Sequence, residues 1–547
     1  MNSVIDVAWK LRKLDGSVEK ISFPENGMID LAAIPGAVPL GSERVVLTGV
    51  CTPEKPVTAV CGIAADGAWI FKVNGNILFD ASATGNSENP VRPDNHPFEV
   101  DLNAGKNVFE LEILGKDHPV QTLFTAFRQL PDRGKLEFKY QPVVLFPDAE
   151  EKAVSIVFAS SVPSPAAVDF RKSGDSEWQR LYDNLAGQIR RDLSTHHIRL
   201  DNLFSGAVYE YRAVLVDDLR LMKDAAFSET GTFRVPEKSG NFSFAVTSDL
   251  QDRICRLKYL EQLFASDIIR NTQFFTYLGD VFWTTDFDHT VMDGFIMPFR
   301  RMSSNSLPLV MVRGNHEIYG RESLKYLDYF SMPSPGRDGY GMFRIGEVCF
   351  IVLDFCDDAP NVAQPSTRCF HDFEPYLAAQ SRWLRRAVAS PACREAKFRI
   401  VLAHGTPLGD SKEYLPGHVR QIIDPVFGGA EPQVKIHLYL GGHIHRPFRS
   451  IPYREACYSV FDPKALATPH PKLGSKYGFT VVTTGGPSKI ITVPETQATS
   501  IRVDLLADRI DVTSFDLNLE EYDRFSVDEN GSVFNEKRRS DFRFFEY

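Results

Sequence analysis

No stretch of this chain approaches the roughly 18 uninterrupted apolar residues that suggest a membrane span, so none is expected. The opening Met1-Asn-Ser-Val-Ile-Asp-Val-Ala-Trp-Lys-Leu-Arg12 lacks an apolar core followed by a small-residue cleavage site. As written the protein therefore reads as cytoplasmic, and a truncated start would make it extracytoplasmic. There is no Lys- or Arg-rich run, and the formal net charge is −10. Such a chain repels phosphate backbones at long range, which argues against a nucleic-acid surface. A phosphate-bearing substrate would need local positive charge, and bound metal could supply it. Cysteine is sparse: Cys51, Cys61, Cys255, Cys349, Cys356, Cys369, Cys393 and Cys457 are scattered, without a CxxC pair. That spacing favours buried or free thiols over a disulfide framework or a zinc–thiolate site. Internal repeats and low-complexity tracts are also missing, and no feature sets an oligomeric state.

What is present is ordinary globular material in an amount too large for one core. The chain has 547 residues, 43% hydrophobic and 24% charged, which suggests about two to four domains. Residues 1–132 alternate in short apolar bursts: Arg44–Thr48, Val57–Ile63, Trp69–Val73, Phe98–Leu102 and Val108–Ile113. Asp66-Gly67 and Asn74-Gly75 punctuate them, and Asn-Gly between apolar runs is a strong hairpin signal. An all-β jelly roll is expected, and the stretch from Asp66 to Gly75 resembles the central hairpin of galactose-binding-like domains. A carbohydrate ligand stacked on Trp69 is the functional reading. A packing role for Trp69 is favoured over it, since large aromatics are usually core.

Residues 133–238 read as a second sandwich. Period-two alternation and Tyr209-Glu-Tyr211 resemble a fibronectin type III-like domain, and Pro236 with the polar residues after it marks a boundary. His196 and His197 share one alternating strand with no acidic partner nearby in sequence, so they are expected to be structural. From 239 to 547 strands alternate with helical stretches such as Ile254–Leu263 and Gln380–Val388, an α/β layer pattern. Strands return at Gly478–Thr483, Ser500–Leu505 and Arg509–Phe515, where they are expected to complete a second sheet.

Five polar islands punctuate this last region: Asp249-Leu-Gln251, Gly279-Asp280, Gly314-Asn315-His316-Glu317, His404 and Gly442-His443-Ile-His445. Each follows an apolar run that reads as a buried strand, namely Phe242–Val246, Phe274–Leu278, Leu309–Val312, Arg399–Leu402 and Ile436–Leu440. Ligand sites in such sheets lie beyond the carboxyl ends of the strands, so five distant segments would converge there. Carboxylate, amide oxygen and imidazole together suit hard-to-borderline divalent metals. Singly, each island has a plain alternative, since an Asp after a strand is often a helix cap. Their joint order argues for a site.

That order resembles the calcineurin-like metallophosphoesterase superfamily, and a fibronectin-like domain ahead of it resembles the purple acid phosphatase branch. The resemblance implies an αββα four-layer catalytic domain behind two all-β sandwiches. It also implies two divalent or trivalent metal ions, with iron, manganese or zinc the leading identities. Carried over by position, one ion is held by Asp249, Gln251, Asp280 and His445, the other by Asp280, Asn315, His404 and His443. His316 is the general acid for the leaving group, and Glu317 helps to orient it. Gln251 and Trp283 depart from the pattern. The family's first block carries His, or Gly in purple acid phosphatases, where Gln251 stands. The purple branch has a tyrosinate where Trp283 stands, and indole cannot replace it as a ligand.

The implied reaction is hydrolysis of a small phosphate monoester by a metal-activated hydroxide. Two alternatives remain: a phosphodiesterase for cyclic nucleotides or lipid head groups, and a carbohydrate-binding protein with a degenerate phosphoesterase domain. Asp286, Asp288 and His289 could line the pocket, although a solvated loop is the favoured reading. Arg321 is a weaker candidate to grip a phosphate oxygen, and a loop from Cys356 to Cys369 is expected over the site.

Overall fold

The computed structural model describes residues 5–24, 27–65, 67–83, 97–115, 122–129, 135–148, 152–217, 223–237, 240–251, 253–330, 332, 338–355, 373–408, 417–429, 431–460, 476–486 and 498–546. The expected loop 356–369, Asp66, and the positions 132–133 and 238–239 lie outside these residues. The chain divides into two compact units, Met1–Lys135 with Asp217–Lys223, and Leu136–Val216 with Asp224–Tyr547.

In the first unit two antiparallel sheets enclose one core. The larger runs in the order Val18–Ile21, Ala8–Arg12, Arg44–Cys51, Asn107–Leu114, Ala68–Val73 and Asn76–Asp80. The smaller is Met28–Asp30, Thr122–Gln129, Val57–Ala65 and Pro97–Leu102. Asn74 and Gly75 turn the last hairpin of the larger sheet with φ of 51° and 84°, the left-handed pair that a tight two-residue turn requires. Trp69 is fully buried, 5.5 Å from the Phe79 ring and 6.4 Å from Phe98. Its indole is a core side chain, and its faces are not open to a sugar.

The second unit opens with a β-sandwich. Val144, Ile156, Phe158 and Ile198 from one sheet meet Val168, Tyr211, Leu215 and Phe233 from the other. The strand Phe138–Asp148 also pairs in parallel with Leu309–Met311, through Leu145 and Leu309, so one sandwich sheet continues into the region beyond. His196, expected to lack an acidic partner, has Nδ1 3.0 Å from Asp183 Oδ2 and Nε2 3.4 Å from Ser160 Oγ. The pairing is a tertiary contact, which local sequence does not display. It gives the buried imidazole the hydrogen bonds that burial demands.

The ten-stranded sheet runs from Thr195–Leu200 through Ala153–Ser160, Phe138–Asp148, Leu309–Met311, Phe274–Tyr277 and Phe242–Thr247 to Ser500–Leu505, Arg509–Phe515, Glu521–Asp528 and Val533–Arg538. A second, eight-stranded sheet contains Gly341–Ile345, Val348–Leu353, Phe398–Ala403, Leu438–Gly441, Thr480–Thr483, Phe448–Ser450, Ala456–Ser459 and Arg543–Glu546. The C-terminal strands are thus shared between both sheets, whereas the sequence suggested that they complete one.

Phe244, Phe274 and Val310 pack between the sheets against Phe350, Ile400 and Leu438. Phe350 meets Phe244 and Phe274 edge-on, each at 5.4 Å. On the outer faces, Phe275 packs on Phe264 of helix Arg253–Ala265, and Val401 and Tyr439 lie under helices Phe373–Ala389 and Gly417–Phe427. Adjacent residues such as Phe274 and Phe275 are both buried because each sheet is covered on both sides, and this explains the unbroken apolar runs. The order is helix, sheet, sheet, helix. No described helix is long and apolar enough to cross a membrane.

Candidate metal centre

The strands at the middle of each sheet are parallel: Phe242–Thr247, Phe274–Tyr277 and Leu309–Met311 in one, Phe398–Ala403, Leu438–Gly441 and Thr480–Thr483 in the other. Their carboxyl ends therefore point the same way, and the chain leaves each through a sharp turn. Asp249, Asp280, His443 and His445 occupy the left-handed region, with φ of 58°, 57°, 71° and 54°. This backbone costs about 1–2 kcal/mol per non-glycine residue, and such strain clusters where surrounding structure holds a functional group in place. Gly279, at φ 82°, allows a close crossing, since a Cβ there would lie 2.6 Å from the Gly314 nitrogen and 2.8 Å from His404 Nδ1.

Six predicted residues converge. His404 Nε2 is 3.3 Å from Asp280 Oδ1 and 3.1 Å from Asn315 Oδ1, which is also 2.9 Å from His443 Nδ1. His445 Nε2 is 3.3 Å from Asp249 Oδ1. Asp280, His404 and His443 offer ligand atoms all within 4.8 Å of one another, as do Asp249, Asp280 and His445. Gln251 donates its Nε2 to Asp280 Oδ2 at 2.8 Å.

The hydrogen bonding calls for positive charge among the donors, which a protonated His404 or a bound ion would supply. His404 Nδ1 lies 2.7 Å from the Leu278 carbonyl, which can only accept, so that nitrogen carries a proton. In a neutral ring Nε2 is then a lone pair, yet it faces the oxygens of Asp280 and Asn315. Lone pairs converge unless positive charge sits among them. Burial lowers the His404 pKa, but Asp280 and Asp249 overcome that and push it up to about 10. Burial and then His404 push His443 down to about 4, leaving it a neutral donor. Asp280 is raised by burial, but the imidazoles of His404 and His316 hold it well below the usual carboxylate range. Oxygen and imidazole donors without thiolate fit a divalent or trivalent first-row ion.

His316 sits at the rim. Its Nδ1 is 2.8 Å from the Trp283 carbonyl, its ring meets the Trp283 indole edge-to-face at 5.0 Å, and its Nε2 is 3.8 Å from Asp280 Oδ2. The expected orienting contact from Glu317 takes another form. Its buried carboxylate receives the backbone N–H groups of Asp280 (2.8 Å), Val281 (2.7 Å) and Gly314 (2.8 Å). Glu317 ties two islands together through their main chains, and Trp283 positions the His316 ring. Burial and then the Asp280 charge push Glu317 up to about 7.

Arg321 is exposed on the segment after the 3-10 turn His316–Ile318. Arg313 is buried, with a guanidinium nitrogen 2.7 Å from Asp354 Oδ2, a structural pair. Asp286 and His289 line a cavity of about 440 Å³ that also borders Gln251 and Trp283. Three supporting residues escape a search by ligand type. Ser248 donates to Asp249 and pairs with the Thr484 hydroxyl, and Gly486 packs where any Cβ would strike Asp249. The one signal for Thr484 and Gly486 is Val481-Val-Thr-Thr-Gly-Gly486, another strand-then-turn pattern that lacks a ligating side chain.

The family model of the calcineurin-like phosphoesterases matches residues 242–447, the segment that holds all five islands. Residues 242–447 are a calcineurin-like phosphoesterase domain. No curated protein matches the chain. Among solved structures it is similar to purple acid phosphatase PPD1 from yellow lupin (Lupinus luteus) seeds, at 12% identity and a TM-score of 0.47, over 89% of this chain and 93% of that one. It is also similar to PhoD, at 12% identity and a TM-score of 0.46, over 74% of this chain and 93% of that one.

Proposed function

We propose that the protein is a metal-dependent hydrolase of phosphate monoesters that works with two ions. The observation that carries this reading is the place of Asp280 in both groups of converging ligand atoms. Asp249, Gln251, Asp280 and His445 would hold one ion, and Asp280, Asn315, His404 and His443 the other. When bound, the ions supply Lewis-acid charge for the phosphoryl oxygens and a water acidic enough to act as nucleophile at neutral pH.

The chain's own residues do the rest. Left-handed turns fix Asp249, Asp280, His443 and His445 in advance, so little reorganisation is needed when charge develops. Glu317 locks the Asp280 and Gly314 loops together. His316 keeps Nδ1 on the Trp283 carbonyl, which leaves Nε2 to pass a proton to the departing alkoxide. The calcineurin-like domain supports hydrolysis of phosphate esters. Metal analysis of the purified protein, followed by p-nitrophenyl phosphate and its bis ester with added Mn, Zn, Fe or Mg, tests the finer reading. Two ions per chain and faster monoester turnover are expected. Faster turnover of the bis ester assigns a diesterase, and no turnover with any metal removes the enzyme.

A further inference from the structure

We infer that the cavity beside the metal centre is a leaving-group subsite for phosphate esters of amino alcohols, those carrying a quaternary or protonated amine. This rests on the phosphoesterase reading above. Position comes first. Gln251 belongs to both the centre and the cavity wall, and Trp283 connects the cavity to His316 by its carbonyl and its indole edge. A leaving oxygen that meets His316 therefore carries its alcohol portion along the Trp283 side, into this space of about 440 Å³.

The wall chemistry selects the alcohol. Trp283 is 38% exposed and Phe287 is 60% exposed, so two large aromatic surfaces stand in water where apolar packing would normally hide them. His289 stacks on Phe287 at 5.2 Å and 15°. Asp286 and Asp293 add carboxylates to the same wall, and no Lys or Arg is among its described lining residues. Aromatic faces combined with carboxylates suit an organic cation and repel a second anionic group. The backbone agrees with a built site. A π-helical turn, Met292–Ile296, carries Asp293 and Gly294 into the wall, and π turns are rare and concentrate at functional sites.

The test uses the full chain, loaded with the metal that gives the fastest p-nitrophenyl phosphate turnover. It compares choline phosphate with 3,3-dimethylbutyl phosphate, its uncharged isostere. The charged ester is expected to be favoured about tenfold in kcat/KM. Trp283→Leu and Asp293→Asn, both at exposed positions, are each expected to remove most of that preference. Equal rates for the two esters, or a preference that survives both substitutions, overturn the inference and leave the phosphoesterase reading intact. If p-nitrophenyl phosphate is itself untouched with every metal, that reading falls. Calorimetry with choline against 3,3-dimethylbutanol then decides the cavity alone: tighter choline binding lost in Trp283→Leu supports it, and equal binding overturns it.

Discussion

Two of the places where the second unit buries charge do so in opposite ways. Arg449 is 2% exposed and meets Asp523 with two guanidinium nitrogens, at 2.8 and 3.1 Å, with Glu536 at 2.9 Å. The Tyr458 and Phe525 rings close over it, each 4.5 Å from the guanidinium carbon. Every carboxylate there faces a permanent cation, and none of the three residues has a left-handed backbone. At the candidate metal centre the carboxylates of Asp249 and Asp280 face imidazoles and one another, on a strained main chain. Burial of charge therefore does not mark function by itself. Incomplete compensation does, when the backbone is strained to maintain it.

The largest expected effect breaks the strained cluster at its shared member. Asp280→Ala removes an oxygen from both proposed ion sites, and turnover of p-nitrophenyl phosphate should fall about 10⁴-fold, with bound metal lost by elemental analysis. Full metal occupancy in this variant would show that Asp280 does not bridge. Next, His316→Ala should lower turnover about 10²–10⁴-fold while both ions stay bound, since the ring stands at the rim and only its proton is needed. Unchanged turnover removes it from the acid role.

The compensated cluster should respond in the other currency. Arg449→Met leaves Asp523 buried with its main partner gone, and unfolding free energy should fall by about 3–5 kcal/mol. Metal content and turnover per folded molecule should hold. A variant that loses metal at full stability would mean the two clusters communicate, and the contrast between them would fail.

Much of the candidate metal centre was legible because its signal is local: a buried strand has an unbroken apolar run, and the polar residue after it marks the sheet edge. Asp249, Asp280, Asn315, His404, His443 and His445 converge for that reason. The alternation of buried strands with helices was readable from the same runs, whereas the helix–sheet–sheet–helix order was implied by the family resemblance. What local sequence did not display depends on partners far along the chain. The main-chain role of Glu317, the Ser248–Thr484 support of Asp249 and the Asp183 partner of His196 are all tertiary. The left-handed backbone of Asp249, Asp280, His443 and His445 was equally hidden, since none of the four is a glycine. The division of the C-terminal strands between two sheets follows from pairing register, which alternation alone does not specify.

The smallest effect concerns a buried imidazole with no carboxylate against its ring nitrogens. His437 Nδ1 accepts the Arg399 backbone N–H at 3.1 Å, so its proton sits on Nε2, which donates to the Glu529 carbonyl at 3.0 Å. Burial is the main reason its pKa falls from 6.5 to about 4. Between those values the unfolded chain takes up a proton that the folded ring refuses, because protonating Nδ1 would set two donors against each other. Stability tied to this group is complete above pH 6.5 and declines as pH falls toward 4. At about 1.4 kcal/mol per pKa unit the decline reaches roughly 3 kcal/mol. His437→Asn keeps an acceptor near Nδ1 without a proton to gain, so denaturant unfolding across this window should lose about one proton's worth of slope. An identical slope in the variant would place the acid sensitivity elsewhere and leave the two charged clusters as the groups to examine.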